Sequence, residues 1–325
     1  MLRSAQRDIL LSLIFQEMKH DKKVIFVTAD FGSPVLSEIE EVLPGQIVNV
    51  GIAEQNLINV SAGLAIEGFK VYCYAIAPFI TMRCFEQIRV NCALLSKVRK
   101  MDITLIGVGV GYSYSVSGPT HQCYEDLGIM RNLPTLRIFS PSDDGSITSC
   151  YRLAKSWRGI NYFRLDAKPF EKSDYAGLSG DALIEQSGLR ICTKQLTKIC
   201  IISTGYLLKN VLLAQNALAS EGIQVNVIEI PVFCDGHLRA SQASMLSNFE
   251  VIFTAEEGFL DRGGLDSYVR MLLNESNNKP IPSVFGIGVE PTYRFEIGDR
   301  DYLHELSGIS VSAITKKVSS KVNEL

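Results

Sequence analysis

Short apolar runs alternate with helical patterns along the first half of the chain, and this alternation is the strongest constraint on its fold. The strand-like runs lie at 24–27, 47–50, 71–74, 103–108, 136–139 and 161–164. Helical patterns at 36–42, 79–95, 125–131 and 143–156 separate them. Strands that alternate with helices predict a parallel sheet with helices on both faces. The first half therefore indicates a doubly wound α/β domain.

The length of 325 residues favours two domains. The polar stretch 166–180 carries Pro169 and several charged residues, as a connection between domains does. Strand and helix signals then resume, and they predict a second, smaller α/β domain. We place the domains at 1–170 and 186–325, with a linker at 171–185.

Composition excludes several classes of function. The formal net charge is -3 and the Lys and Arg residues are scattered, which argues against a nucleic-acid partner. The apolar runs are too short to cross a membrane, and the segment 1–23 has the spacing of an amphipathic helix and not of a signal peptide. The eight cysteines contain no C-x-x-C pair and lie mostly among apolar residues, so we expect reduced, buried thiols in a cytoplasmic protein. The four histidines are far apart and indicate no metal site.

The stretch 49–68 is the most informative local feature. An apolar strand ends in Asn49-Val50-Gly51 and runs directly into a helix that begins near Ala53. Glu54 would lie in the first turn of that helix, at the edge of a parallel sheet where ligands usually bind. Taken alone, the residues also permit a solvated glutamate that favours the helix dipole.

Three motifs stand together in this half: GIAEQN at 51–56, APFITMRCFEQIR at 77–89 and GPTHQ at 118–122. In this order and spacing they resemble the pyrimidine-binding domain of transketolase. The second half, with AEEGFLDRGGL at 255–265, resembles the transketolase C-terminal domain. The resemblance implies the C-terminal section of a split transketolase, with a thiamine diphosphate-binding (pyrimidine) fold followed by a C-terminal-domain-like fold. Deoxyxylulose-phosphate synthase shares much of this pattern, and E1 beta subunits of 2-oxoacid dehydrogenases share the layout.

The resemblance implies thiamine diphosphate as the cofactor. Its reactive thiazolium carbon loses a proton only when a carboxyl group holds a proton on N1' of the pyrimidine ring, and the matching residue is Glu54. The implied cofactor-binding residues are Ile52, Phe79, Met82 and Phe85. The last three fall at i, i+3 and i+6, so one helical wall could present them, although Phe85 also fits a core face. We expect Arg83 and Arg89 to make surface or ion-pair contacts.

The resemblance assigns the substrate to particular positions. His121, in a Gly-Pro-Thr turn, is expected to face the sugar hydroxyls or move their protons. Ser33 and Arg164 are implied substrate-binding residues, and a structural ion pair is the alternative for Arg164. The loop before GPTHQ departs from the family pattern, because Gly109 and Ser117 stand where transketolases carry His and Asp. We therefore expect an unusual sugar, and we expect Gly109→His with Ser117→Asp to improve common donors.

A partner subunit is implied by what the chain lacks. Complete family members bind the cofactor's diphosphate through Mg²⁺ on a Gly-Asp-Gly motif, but Gly180-Asp181 and Gly298-Asp299 are followed by Ala and Arg. We therefore expect no metal ligands in this chain and an N-terminal partner that carries them, in an α₂β₂ assembly. The implied reaction moves a two-carbon ketol unit from a ketose to an aldose. A decarboxylating synthase-like or E1 beta-like subunit and a non-enzymatic regulatory pseudo-subunit are the alternatives.

Overall fold

The structure is a computed structural model that describes residues 4–175, 178, 181–276 and 280–324. Within these residues the strands are β1 (Ser4–Ala5), β2 (Val24–Thr28), β3 (Ile47–Asn49), β4 (Lys70–Ile76), β5 (Asp102–Val108), β6 (Leu136–Phe139), β7 (Ile160–Leu165), β8 (Pro169–Phe170), β9 (Arg190–Thr193), β10 (Ile199–Ser203), β11 (Asn226–Glu229), β12 (Val232–Phe233), β13 (Val251–Phe259) and β14 (Ser283–Val289). The α-helices are α1 (Gln6–His20), α2 (Pro34–Val42), α3 (Glu54–Ile66), α4 (Phe85–Gln87), α5 (Asp126–Met130), α6 (Asp144–Trp157), α7 (Asp181–Ser187), α8 (Leu208–Ser220), α9 (His237–Leu246), α10 (Leu265–Glu275), α11 (Arg300–Leu306) and α12 (Val311–Glu324).

The larger sheet has seven strands in the order β12-β6-β7-β5-β4-β2-β3. Strands β2 to β7 are parallel, and β12 adds to the edge antiparallel to β6. The predicted doubly wound parallel sheet is confirmed. Because β12 comes from the second half of the chain, the two halves share this sheet. The boundaries at 171–185 stay a prediction, and positions 176–177 and 179–180 lie outside the described residues.

The smaller sheet has five strands in the order β14-β13-β10-β11-β9, with only β9 antiparallel. Sequence analysis did not predict β14. Its two glycines, Gly286 and Gly288, lower the strand signal. A Cβ at Gly288 would overlap the backbone oxygen of Gly258, and a Cβ at Gly286 would crowd the side chain of Leu260.

The segment that follows β4 is helical but irregular. It has π-helical turns at Phe79–Arg83 and Ile88–Leu94, the short helix α4 between them, and a 3₁₀ turn at Leu95–Lys97. The segment predicted as a helix at 79–95 is thus helical except at Cys84, but it is not one regular α-helix. Single π-helical turns inside helices are rare and often lie at functional sites.

The carboxyl ends of β2, β3, β4, β5 and β7 lie at one edge of the larger sheet, because these strands are parallel neighbours. The segments that follow them converge there, and they contain most of the candidate residues.

Seven of the eight cysteines are buried, as predicted. In the described part of the chain, every helix is too short or too polar to cross a membrane.

Candidate active site

Glu54 lies where the sequence predicts it. Strand β3 ends at Asn49, Gly51 turns the chain with φ of 74°, and α3 begins at Glu54. The Asn49 side-chain oxygen accepts hydrogen bonds from the amides of Gly51 (2.9 Å) and Asp30 (3.1 Å), which fixes the turn. The Glu54 residue is only 5% exposed although it lies at the sheet edge. The solvated-glutamate alternative is therefore wrong.

Four side chains lie in a row that begins at Glu54 and ends at His121, with Arg83 and Phe79 between them. Arg83 Nη1 donates to Glu54 Oε2 at 2.6 Å, so the predicted ion-pair role of Arg83 is confirmed. The Arg83 guanidinium lies 4.5 Å from the centre of the Phe79 ring. The Phe79 ring meets the His121 ring edge-on at 5.3 Å. Residues from α3, the π-helical turn and the loop after β5 thus form one continuous site.

Phe85 does not share the surroundings of the other two members of the predicted wall, Phe79 and Met82. Met82 packs against Ala77, Val110 and Cys123, whereas Phe85 packs against the main core. The regular helical spacing on which the wall depends is interrupted by the π-helical turn at Phe79–Arg83 and by the break at Cys84. For Phe85 the core-face alternative is the one observed.

Ile52 has a different environment from the other candidate residues. It is 79% exposed, two residues before Glu54. An apolar side chain this exposed beside a buried carboxylate is available to another molecule or another chain. Its role in cofactor binding stays a prediction.

The loop after β5 is shaped by Tyr114. Gly109 has φ of 100°, and a Cβ added there would overlap the Tyr114 ring. The Tyr114 ring also meets the His121 ring edge-on, with centres 6.4 Å apart. Ser117, in contrast, is exposed at the end of a 3₁₀ turn. The expectation that histidine at position 109 would restore ordinary substrate binding is therefore corrected, because Tyr114 already fills that space.

A comparison with protein families identifies the family to which this chain belongs. A model of the transketolase pyrimidine-binding domain matches residues 4–168, just over half of the chain. The chain belongs to the transketolase family. The resemblance and the fold class predicted from the sequence are both confirmed.

Relatives of this transketolase-family chain match it over nearly its whole length. It is 26% identical to the 6-deoxy-6-sulfo-D-fructose transketolase subunit SqwH of Clostridium sp. (strain MSTE9), over 95% of this chain and 92% of the relative. It is 27% identical to an apulose-4-phosphate transketolase subunit of Actinobacillus succinogenes, over 94% of this chain and 95% of the relative. A split-gene transketolase solved as an inactive β4 tetramer superposes with a TM-score of 0.78 at 25% identity, covering 97% of each chain.

Arg164 is placed differently from the prediction. Its guanidinium makes two hydrogen bonds of 2.9 Å to the carboxylate of Asp126, and Nη1 donates to the Ser140 hydroxyl at 3.1 Å. The Arg164 and Asp126 side chains are 5% and 0% exposed. Burial opposes the charge of Arg164, yet Asp126 raises the pKa of the guanidinium above its ordinary value. The observed role is the structural ion pair, so we withdraw Arg164 as a phosphate-binding residue.

Ser33 acts as a helix cap in this transketolase-family fold. Its hydroxyl accepts a hydrogen bond from the Leu36 amide at 3.2 Å, at the N-terminus of α2. The residue is nearly buried, so a substrate would have to share a hydroxyl that already stabilises a helix end. Its role in substrate binding stays a prediction.

Arg7 is a further cation near the candidate site that no sequence motif marks. Burial raises the pKa of the Tyr74 and Tyr114 hydroxyls, and the positive charge of Arg7 opposes that rise at both. Arg7 follows Gln6, whose side-chain amide donates to the carbonyls of Pro141 (3.1 Å) and Ser142 (2.9 Å) just after β6, so Arg7 lies at the carboxyl edge of the sheet. Its Nε donates to Asp8 Oδ1 at 2.9 Å, and the Arg7 side chain is 17% exposed. No spacing in the sequence relates residue 7 to residue 114, so only tertiary packing shows this cation.

Gly109→His is expected to destabilise the chain by about 1–3 kcal/mol, because the left-handed backbone and the Tyr114 ring both oppose a side chain there. Adding Tyr114→Ala removes the overlap and is expected to recover part of that loss. Ser117→Asp serves as the matched control and should stay within about 0.5 kcal/mol of the wild type. Urea unfolding measures all four proteins. A Gly109→His chain as stable as the wild type would contradict the placement of Tyr114.

Proposed function

We propose that this chain is the C-terminal (beta) subunit of a split transketolase that uses thiamine diphosphate to move a two-carbon ketol unit from a ketose to an aldose. The observation that carries the proposal is the buried Glu54 carboxylate, joined through Arg83 to the Phe79 ring and so to His121. Relatives named as transketolase subunits, matched nearly end to end, support it.

The residues present fit the pyrimidine ring of the cofactor. A flat guanidinium, that of Arg83, already lies over Phe79 and donates to Glu54. The site thus holds a planar group with N–H donors between a carboxylate and an aromatic face, which is what a protonated aminopyrimidine requires. The chemistry supplied by bound thiamine diphosphate is a carbon nucleophile for the donor carbonyl.

Each candidate site residue then has a proposed role in the reaction. Glu54 keeps a proton on N1' of the pyrimidine ring, and its burial protects that proton from exchange with water. Phe79 supports the ring, with Ile52 and Met82 as proposed flanking contacts. His121 moves protons at the sugar hydroxyls. Arg83 gives up its contact with Glu54, or shares it, when the ring enters.

The donor sugar is proposed to be an uncommon ketose. Tyr114 covers Gly109 in the loop where ordinary transketolases are implied to carry a histidine. Two relatives bear the names of unusual sugars, a sulfofructose and apulose 4-phosphate. Because Arg164 is enclosed by Asp126, Arg7 is the better candidate cation for an acidic end of the sugar.

Assembly with an N-terminal subunit completes the proposed enzyme. We place the Mg²⁺ and diphosphate site on the partner, because family members are expected to hold the diphosphate through Mg²⁺ on a Gly-Asp-Gly motif, which this sequence does not contain. Exposed apolar side chains just before α3 and along the irregular helical segment after β4 suit an interface. They include Ile52, Val90, Leu94 and Val98. An α₂β₂ assembly in the cytoplasm is the arrangement we propose.

The deciding experiment titrates the purified chain with thiamine diphosphate and Mg²⁺ by calorimetry, and assays it with and without its N-terminal partner. We expect weak binding and no ketol transfer by the chain alone, with activity only in the mixture. The solved relative, an inactive β4 tetramer, supports this expectation. Tight cofactor binding and ketol transfer by this chain alone would overturn the split-enzyme proposal. Turnover of pyruvate without a ketose would favour the decarboxylating alternative, and a mixture without any activity would favour the pseudo-subunit.

A further inference from the structure

The second half of the chain packs against the loop that carries Tyr114 and His121. We call residues 109–122 the substrate loop. A Cβ added at Gly111, at one end of this loop, would overlap the Glu257 side chain, so the two are in direct contact. The next residue, Tyr112, is fully buried, and its hydroxyl hydrogen-bonds to the Ser307 hydroxyl at 2.6 Å. Both partners belong to the second half of the chain.

Glu257 is itself held by a buried polar network. Arg300 Nε donates to Glu257 Oε1 at 2.7 Å, and the same guanidinium also contacts Asp166. The His304 ring contacts Glu257 through Nε2 and lies 3.0 Å from the Asn210 side-chain nitrogen through Nδ1. Burial acts against the charge of Glu257, yet Arg300 and His304 hold the pKa of that carboxyl below its usual range. A fully paired buried network of this kind makes a rigid support.

The network reaches the substrate loop by a second route, through Asp166. The Ser113 hydroxyl donates to Asp166 Oδ1 at 3.1 Å and accepts from the Ala167 amide at 3.0 Å. Tyr112 and Ser113 are therefore both fixed, by separate contacts. Tyr114 follows them directly, so these contacts hold the backbone from which its ring reaches over Gly109.

The segment just beyond the substrate loop is fixed by the same part of the second half. Gly128, in α5, packs so closely that a Cβ there would overlap the backbone oxygen of Arg262. Arg131 donates to the carbonyls of Gly263 and Gly264. The stretch 255–265 thus contacts both the substrate loop and the helix that follows it.

We infer that the second half of the chain positions the substrate loop for catalysis, with Tyr112 and Ser307 as positioning residues that act through Tyr114 and His121. This inference rests on the proposed function, because it assigns the loop to the donor sugar. It predicts that loosening the Tyr112 contact weakens donor binding and leaves the Glu54 end of the site unchanged, since Glu54 belongs to α3.

The test compares Tyr112→Phe with Tyr268→Phe. Both substitutions remove a buried phenol hydroxyl with a 2.6 Å hydrogen bond, but Tyr268 bonds to Gln242 in the second half, away from the loop. In the enzyme assembled with its partner, Tyr112→Phe is expected to raise KM for the donor about two- to tenfold, the worth of one hydrogen bond, with the cofactor Kd unchanged. Tyr268→Phe should leave KM unchanged.

Ser307→Ala completes a double-mutant cycle. If the two hydroxyls act together, Tyr112→Phe with Ser307→Ala raises KM no more than either change alone. An unchanged KM in Tyr112→Phe, an equal rise in Tyr268→Phe, or additive effects in the double variant would overturn the inference.

A measurement without activity separates this inference from the proposed function. Hydrogen exchange of the purified chain follows the amides of Gly111, Ser113, Ser117 and His121, which are bonded within the loop and its bridge to Cys123. Tyr112→Phe is expected to speed their exchange, and Tyr268→Phe is not. Faster exchange with no ketol transfer in any protein would refute the proposed function alone. Unchanged exchange in Tyr112→Phe would refute the inference that the Tyr112 contact with the second half positions the substrate loop.

Discussion

Glu54→Gln is expected to lower kcat by about 10²- to 10⁴-fold, the usual cost of losing an essential proton-transfer group. An amide can hydrogen-bond to N1' of the pyrimidine ring but cannot exchange a proton with it. The fold should persist, because the Arg83 partner of Glu54 is 46% exposed and can be solvated when the charge is lost. Single-turnover assays of the enzyme assembled with its N-terminal partner measure the effect on the chemical step.

Glu86→Gln is the matched control for this variant. Glu86 is an exposed glutamate in the same neighbourhood, and its ion pair with Arg89 is long at 3.5 Å. We expect its kcat to equal that of the wild type. If Glu54→Gln kept most of its activity, Glu54 would not be the acid, and the assignment of the pyrimidine site would fail with it.

Asp126→Ala is expected to lower the free energy of unfolding by about 3–5 kcal/mol, because it leaves the buried Arg164 charge without its partner. The Tyr162 hydroxyl, which donates to Asp126 Oδ2 at 2.8 Å, loses its acceptor as well. Urea unfolding of the purified chain measures the loss. A fall of less than about 1 kcal/mol would contradict a structural ion pair, since so small a cost is typical of exposed pairs.

A double replacement tests whether Arg164 also has a role in binding. Asp126→Leu with Arg164→Met removes both charges and is expected to restore much of the stability lost in Asp126→Ala, as apolar replacement of buried pairs commonly does. In the assembled enzyme this variant should keep the wild-type KM for a phosphorylated donor. A KM raised about tenfold or more in the well-folded double variant would return Arg164 to the substrate site, since that is the worth of a charged hydrogen bond. Arg7→Gln, at the alternative cation, is the variant in which we expect KM to rise.

The core of the candidate site was predictable because its signals are local. Glu54 follows directly from a strand that ends at Asn49, a glycine with positive φ at Gly51 and the start of α3. Each of these features depends on residues within one short stretch, so the pattern of side chains is enough to place the carboxylate. The same holds for His121 in its Gly-Pro-Thr turn and for Phe79 just after β4.

Other parts of the site depend on how the chain packs in three dimensions. Tyr114 is an ordinary loop residue in the sequence, and only its packing against Gly109 shows that it fills the space of a missing side chain. The π-helical turn at Phe79–Arg83 and the break at Cys84 interrupt the regular spacing between Phe79 and Phe85, which an α-helical spacing rule cannot predict. Both outcomes arise from how neighbouring elements pack, which local preferences do not contain.

The sequence by itself determined the alternation of strands and helices in the first half, the parallel sheet, the family and the position of Glu54, because periodicity and short motifs act over a few residues. The tertiary structure decided which paired charges are buried and which stay partly exposed. Nothing in the sequence distinguishes Arg164 from Arg7, yet Arg164 is enclosed by Asp126, whereas Arg7 pairs with Asp8 and stays partly exposed. The energy of a charge depends on its burial and its partners, and both are fixed only when distant segments meet.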